Sequence, residues 1–221
     1  MSESEDRTLA VAQSTYITFC ALMFVWICAW ILKVHLDAIC VWVSTSLGGF
    51  VYWTIAKIIT WIFPALFLLR AAGRSLREVF NLKNWKGWLA WGGGVGFLIS
   101  LTGFIPSFLR GDPLLPTQFD VPLFSVLTIA PVFEEFLMRG AIFGNLQQVH
   151  STAVANVVSS LMFIVLHIPG WYFMGTSTEN LTRPIGGALS IFLLGLAFGY
   201  ATHRGRSVLA GMVAHSLNNL A

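Results

Sequence analysis

The stretch TLAVAQSTYITFCALMFVWICAWIL, residues 8–32, carries no charged side chain from end to end. It is long enough for a helix of about 20 residues to cross roughly 30 Å of hydrocarbon. Working outward from it, further uncharged runs follow at 87–109, 140–178 and 184–203. Backbone polar groups facing lipid must be paired within their own segment, so such runs are read as helices. The alternating segments of about 10 residues that a membrane β-barrel needs are absent. The expected fold is an all-α polytopic membrane helix bundle. Its spans are placed at 14–32, 46–69, 87–109, 121–146, 152–168, 185–203 and 208 to the C-terminus, which makes about seven, within a range of six to eight.

Composition agrees. The 13 Lys/Arg and 10 Asp/Glu of the 221 residues compare with about 55 charged side chains in a soluble protein of this length. Hydrophobic residues make up 56%, with 18 Phe and 9 Trp, more apolar surface than one core of this size can hide from water. The net charge of +3 is scattered, without the basic, aromatic-interleaved patch that nucleic acid selects, so no nucleic-acid partner is expected. The tryptophans read as interfacial anchors and lipid-facing bulk. Cys20, Cys28 and Cys40 form no CxxC pair and read as packing residues. The acidic start and the length of the first apolar run argue for a retained membrane helix rather than a cleaved signal peptide.

No repeat or linker divides the chain. It reads as a cytoplasmic N-terminal tail, 1–13, followed by a single integral membrane domain, 14–221, in which 121–221 holds the polar residues. Residues 70–86 carry Arg70, Arg74, Arg77, Lys83 and Lys86, and the turn at 204–206 carries Arg204 and Arg206. The positive-inside rule makes both cytoplasmic, and with them the N-terminus, in the cell membrane. Lys33, Arg110 and Arg183 fall on the opposite side. An extra short helix near 38–45 would reverse the N-terminus.

Ionisable groups at helix depth cost at least about 2.5–3.5 kcal/mol each, so each is a functional candidate. They are Lys57, Glu134, Glu135, Arg139, His167 and His215. Lys57 stands alone in its span and reads as a snorkelling side chain. In Ala130-Pro131-Val132-Phe133-Glu134-Glu135-Phe136-Leu137-Met138-Arg139-Gly140, Arg139 is one turn on from Glu135, so these two can pair on one helix face. Glu134 lies about 100° around the helix, spared from the pair, where it can take a proton from water. His167 ends an apolar helix before Pro169-Gly170. His215 and Asn219 share one face of the last helix. A Glu, two His and an Asn converging on one water make a hydrolytic site. Ser216 points about 100° away from its neighbour His215, which argues against a serine–histidine pair. Transport finds no paired halves or broken helices.

EExxxR at Glu134, Glu135 and Arg139, FxxxH at Phe163 and His167, and HxxxN at His215 and Asn219, each in its own apolar helix and in that order, resemble the three motifs of the CPBP family. That family comprises CAAX-processing intramembrane endopeptidases and relatives linked to bacteriocin self-immunity. The helix Phe192-Leu193-Leu194-Gly195-Leu196-Ala197-Phe198-Gly199-Tyr200 is similar to the family's glycine-bearing penultimate helix. The resemblance implies an intramembrane protease of the glutamate type. Glu134 would be its general base, His167 and His215 would orient water and polarise the carbonyl, and Asn219 would help hold the oxyanion. Glu135, Arg139 and Phe163 would support them. A cofactor-free mechanism is expected. The second choice is zinc held by Glu134, His167 and His215, whose types suit that metal although no HExxH is present. Membrane-associated or prenylated peptides are the expected substrates, since a hydrophilic chain would pay to leave water. The alternative is a non-proteolytic immunity or scaffold protein binding a peptide in the same cavity.

Overall fold

The computed structural model describes residues 3–221, with side chains from residue 8 onward, and every regular element among them is helical. Seven main helices follow one another: α1 (Glu3–Ile39), α2 (Ser46–Ala71), α3 (Trp85–Arg110), α4 (Val121–Leu146), α5 (Thr152–Phe173), α6 (Ala188–Gly205) and α7 (Val208–Leu220). The first five lie in segments long and apolar enough to cross a membrane. The last two, anticipated as spans, have 18 and 13 residues, about 27 and 20 Å at 1.5 Å per residue. Helix α7 is therefore shorter than the hydrocarbon layer and depends on packing against its neighbours. Val41–Ser44 is a single turn between α1 and α2, so it adds no crossing.

The segment read as a tail, 1–13, continues α1 as helix from Glu3 on, with Val11 and Ala12 buried; residues 1 and 2 lie outside the described residues. One expectation needs correction. The cysteines do not pack inside: Cys20 and Cys28 are exposed on α1 and Cys40 is half-buried. They share the outer surface with side chains such as Ile17 and Phe24, a surface that only lipid would cover without penalty.

Close packing rests on small residues where helices meet. The buried positions of α3 are Gly92, Gly96 and Ser100, one turn apart, so they present one smooth face. A Cβ on Gly92 would come within 2.6 Å of the Ala210 carbonyl oxygen, and one on Gly96 within 2.9 Å of the Ala214 Cα. Ser100 completes the seam by donating to the Leu217 carbonyl at 2.7 Å.

Helices α2 and α4 widen to π-helical turns at Ile58–Ile62 and Ser125–Ile129. Each stretch lies just before a proline, Pro64 and Pro131, whose missing N–H and bulky ring exclude regular i→i−4 geometry. A third wide stretch, Phe136–Phe143, follows Glu134 and Glu135 directly, so the two carboxylates sit on a short α-helical turn between widened ones, a pattern frequent at functional sites.

The bundle has two distinct ends. At one, Arg74 donates to the Gly140 carbonyl (2.8 Å) and to Asn145 Oδ1 (3.1 Å), and Asn145 donates to the Leu68 carbonyl (3.1 Å). Burial lowers the Arg74 pKa, and Glu78 counteracts it. A cation here also suits carbonyls pointing toward a helix C-terminus. Asn81, Asn84 and Ser207 tie the 80–84 segment to the turn after α6. At the other end Tyr52 donates to the Ala29 carbonyl, and Asn219 donates to the Val126 carbonyl at 2.9 Å, joining α7 to α4.

Candidate active site

Helices α4, α5 and α7 bring the three motifs together in the middle of the bundle. Glu135 is fully buried and accepts from two donors through Oε1: Arg139 Nη1 at 3.1 Å and His215 Nδ1 at 3.0 Å. The Glu135–Arg139 pair anticipated from their spacing is thus present, and it also holds an imidazole. Arg139 spends a second nitrogen on the Gly195 carbonyl at 2.9 Å. Its guanidinium lies over the Phe163 ring, 4.5 Å from the centroid, a contact that partly replaces hydration. The glycine on the penultimate helix has a physical reason here. A Cβ at Gly195 would lie 2.9 Å from Ser160 Oγ and 3.1 Å from Arg139 Nη2, pushing the guanidinium off the carbonyl it caps.

Both histidines are oriented through Nδ1. His167 Nδ1–H donates to the Phe163 carbonyl at 2.7 Å, and His215 Nδ1–H donates to Glu135. The proton on Nδ1 leaves each Nε2 as the nitrogen available to water or substrate. His215 is stacked on Phe198, with ring centroids 4.6 Å apart and planes 15° from parallel. His167 meets Phe163 edge-on at 4.8 Å. Phe163 therefore contacts both the arginine and a histidine.

Glu134 faces the other way from Glu135, into a cavity of about 470 Å³ that it shares with His167. It lies within electrostatic reach of both histidines. The expectation that it has no cationic partner is corrected by Lys57, whose Nζ lies 3.4 Å from Glu134 Oε1. Lys57 does not snorkel. It stands about 17 and 21 Å from the two ends of its helix at 1.5 Å per residue, too deep for a lysine side chain to surface. That depth was readable in the sequence; what was missing was a partner on another helix. The ammonium also sits 4.6 Å from the centre of the Trp61 ring.

Much of the cavity wall comes from residues that composition alone assigned to lipid. Trp26, Trp30, Trp53 and Trp61 line it, packed ring against ring: Trp26–Trp61 at 4.7 Å, Trp30–Trp53 at 4.3 Å. Trp26 and Trp61 are almost wholly buried, whereas Trp42 and Trp85 are half-exposed, as interfacial anchors should be. Hence α1 and α2, not the last helix, complete the cavity; among the described residues His215 does not line it. The indole N–H groups of Trp30 and Trp61 are buried with no hydrogen-bond partner among the described residues.

Asn219 already has partners within the bundle. Its amide nitrogen is engaged by the Val126 carbonyl and its oxygen accepts from Asn218. Ser216 donates to the Met212 carbonyl and takes no part in the cluster. Among the described residues no three His, Cys, Asp or Glu side chains are grouped so as to hold a metal ion.

With this geometry in view, residues 116–221 match a family model described as Rce1-like, type II CAAX prenyl endopeptidase Rce1-like. The matched segment, a little under half of the chain, contains all three motifs, and it bears out the resemblance to the CPBP family. No curated protein and no solved structure matches the chain.

Proposed function

We propose that this integral membrane protein is an endopeptidase that hydrolyses peptide bonds of short membrane-associated or lipidated peptides, CAAX-type tails or leader-type peptides, through a water activated by Glu134. The observation that carries the reading is a carboxylate and an imidazole, Glu134 and His167, facing one aromatic-walled cavity inside a membrane bundle. The segment that supplies both belongs to the stretch matched by a CAAX endopeptidase family.

The chemistry follows from the side chains. Glu134 is the general base that takes a proton from the attacking water. Lys57 sets a cation 3.4 Å from that carboxylate and fixes it in place. His167, its Nδ1 anchored on a main-chain carbonyl, offers Nε2 to the water or the scissile carbonyl. His215 on α7, held by Glu135, stands behind the cavity wall within electrostatic reach of Glu134 and helps position it. Asn219 gives one amide N–H to the Val126 carbonyl on the helix that carries Glu134, which fixes the group in place, and keeps its second N–H for the oxyanion. The unpartnered indoles of Trp30 and Trp61 are donors for carbonyls of the bound peptide, and the four-tryptophan wall suits an apolar or prenylated segment.

A zinc site would need Glu134, His167 and His215 to converge on one point, and no such grouping exists among the described residues; the mechanism therefore routes no step through a metal. The protein is taken to sit in the cell membrane with its N-terminus in the cytoplasm. The test is to incubate purified protein with a prenylated CAAX peptide, its unprenylated counterpart and an apolar leader peptide, alongside Glu134→Gln, with metal analysis of the same preparation. Cleavage of a lipidated or apolar peptide, lost in Glu134→Gln by about 10²–10⁴ in rate, is expected. Equal cleavage of the soluble peptide would refute membrane-based selection. Stoichiometric zinc whose removal abolishes turnover would refute the metal-free mechanism. Binding without cleavage of any peptide would favour an immunity or scaffold protein.

A further inference from the structure

We infer that the active-site cavity opens on the membrane face away from the cytoplasm, which narrows the two substrate classes proposed above to the leader-type one, exported peptides held at the outer leaflet. The direction rests on geometry alone; the substrate class rests also on the proteolytic reading above.

The cavity belongs to one end of the bundle. Helices α1 and α5 run side by side in the same direction. Tyr16 lies opposite His150, Trp26 donates to the Leu166 carbonyl, and Trp30 stacks on Phe173. The cavity is lined from the later part of both, by Trp26, Trp30, His167 and Met174, and from the early part of α4, by Ser125 and Val126. His167 is about 9 Å from the end of α5 at Phe173 and about 22 Å from its start, at 1.5 Å per residue. Met174 is 59% exposed and marks the mouth. Toward the other end the path is closed, because every residue of Phe136–Phe143 on α4 is buried. A separate cleft of about 740 Å³ does open there, lined among others by Arg74, Gln147, Arg204 and Arg206, but it reaches no deeper than Arg139. Neither Glu134 nor His167 lines it.

Charge separates the same two ends. The loops of the closed end carry Arg70, Arg74, Arg77, Lys83, Lys86, Arg204 and Arg206 against Glu78, and the mixed-charge start of the chain, Glu3, Glu5, Asp6 and Arg7, lies on the same side. The cavity end carries Lys33, Arg110 and Arg183, and each is paired with a nearby acid: Lys33–Asp37 at 2.5 Å, Arg110–Asp112 at 2.7 Å and Arg183–Glu179 at 3.1 Å. Seven loop cations against three is the asymmetry that fixes orientation during insertion, with the cation-rich loops retained in the cytoplasm. The mouth at Met174 then faces outward.

The experiment is side-selective labelling of the full-length protein in which Cys20, Cys28 and Cys40 are serine and one cysteine is returned at a time. Thr178→Cys and Met174→Cys report the cavity end and Lys83→Cys the closed end; none of the three belongs to the catalytic cluster. A membrane-impermeant maleimide on intact cells should label Thr178→Cys and Met174→Cys, and should label Lys83→Cys only after permeabilisation. The wild-type Cys40, between α1 and α2, is a second reporter for the cavity end should a substitution fail to fold. Labelling of Lys83→Cys in intact cells, whether alone or together with the others, overturns the inference. Labelling needs no turnover, so it stands or falls separately from the proteolytic reading. If the topology holds and no peptide is cleaved, it is the enzymatic assignment that fails.

Discussion

Lys57→Met removes the cation facing Glu134 while keeping the length and most of the volume of the side chain. The ammonium and carboxylate are 3.4 Å apart, and both side chains are less than a fifth exposed. Coulomb's law at an effective dielectric of 20 gives about 5 kcal/mol for such a pair, before the cost of desolvating it. Measured losses on breaking one partner of a buried pair are about 3–5 kcal/mol, because the survivor is left uncompensated. Lys57→Met should therefore lower unfolding free energy by an amount of that order, and Glu134→Gln should lower it less, since a neutral amide leaves the ammonium in contact with Trp61. The double variant should be less destabilised than the sum of the two, with a coupling of at least about 1 kcal/mol for a directly interacting pair. Denaturant titration of the four proteins in one detergent measures the cycle. In turnover, Lys57→Met should reduce kcat more than it raises KM, whereas Lys57→Arg, which keeps the charge, should retain a substantial part of kcat. Strictly additive stabilities, or wild-type kcat in folded Lys57→Met, would refute the claim that Lys57 holds the catalytic carboxylate.

Three further outcomes follow from the same geometry. Glu135→Gln leaves Arg139 and His215 without their shared anion, so it should cost about 3–5 kcal/mol and lower the yield of folded protein as well as activity, unlike Glu134→Gln; denaturant titration and thermal scans on both variants check this. Gly211→Ala would put a Cβ 3.0 Å from Glu135 Oε2 and 2.6 Å from Thr202 Oγ1, so peptide turnover should drop, while Gly93→Ala, with nothing within 4 Å of its Cβ, should leave turnover unchanged. Arg74→Ala deletes the donors to Gly140 and Asn145 and should destabilise by roughly 1.5–3 kcal/mol per hydrogen bond to a charged group, read in the same titration, without changing KM for the peptide.

Much of the fold was legible because lipid simplifies the problem: an uncharged apolar run as long as 8–32 has few structures open to it besides a helix. The Glu135–Arg139 pair was legible for a similar reason, since i,i+4 spacing on one helix already sets the distance. What spacing cannot show is which residues on different helices meet. Nothing in the sequence near Lys57 names Glu134, two helices further along the chain, as its partner. Nor does a tryptophan count tell Trp61, buried on the cavity wall, from Trp85 at the interface. The span count is legible only in part: residues 185–203 and 208 onward are apolar enough to read as spans, and the helices found there have 18 and 13 residues, so α7 in particular relies on contacts with its neighbours.

The same contrast explains why the first part of the chain cannot be treated as hydrophobic filler. Glu134 lies in the segment that matches the family, but its charge partner and most of the aromatic wall before it come from α1 and α2, outside that segment. In the proposed mechanism the carboxylate would need a cation beside it and an enclosure that keeps other water out. Lys57 would supply the first and Trp26, Trp30, Trp53 and Trp61 the second. The C-terminal segment alone, 116–221, should consequently bind peptide poorly and cleave none even if it inserts, and adding back 1–115 as a separate polypeptide should restore cleavage where the two associate. Full turnover by 116–221 alone would show that the wall built by α1 and α2 is dispensable and would return the cavity to α4, α5 and α7.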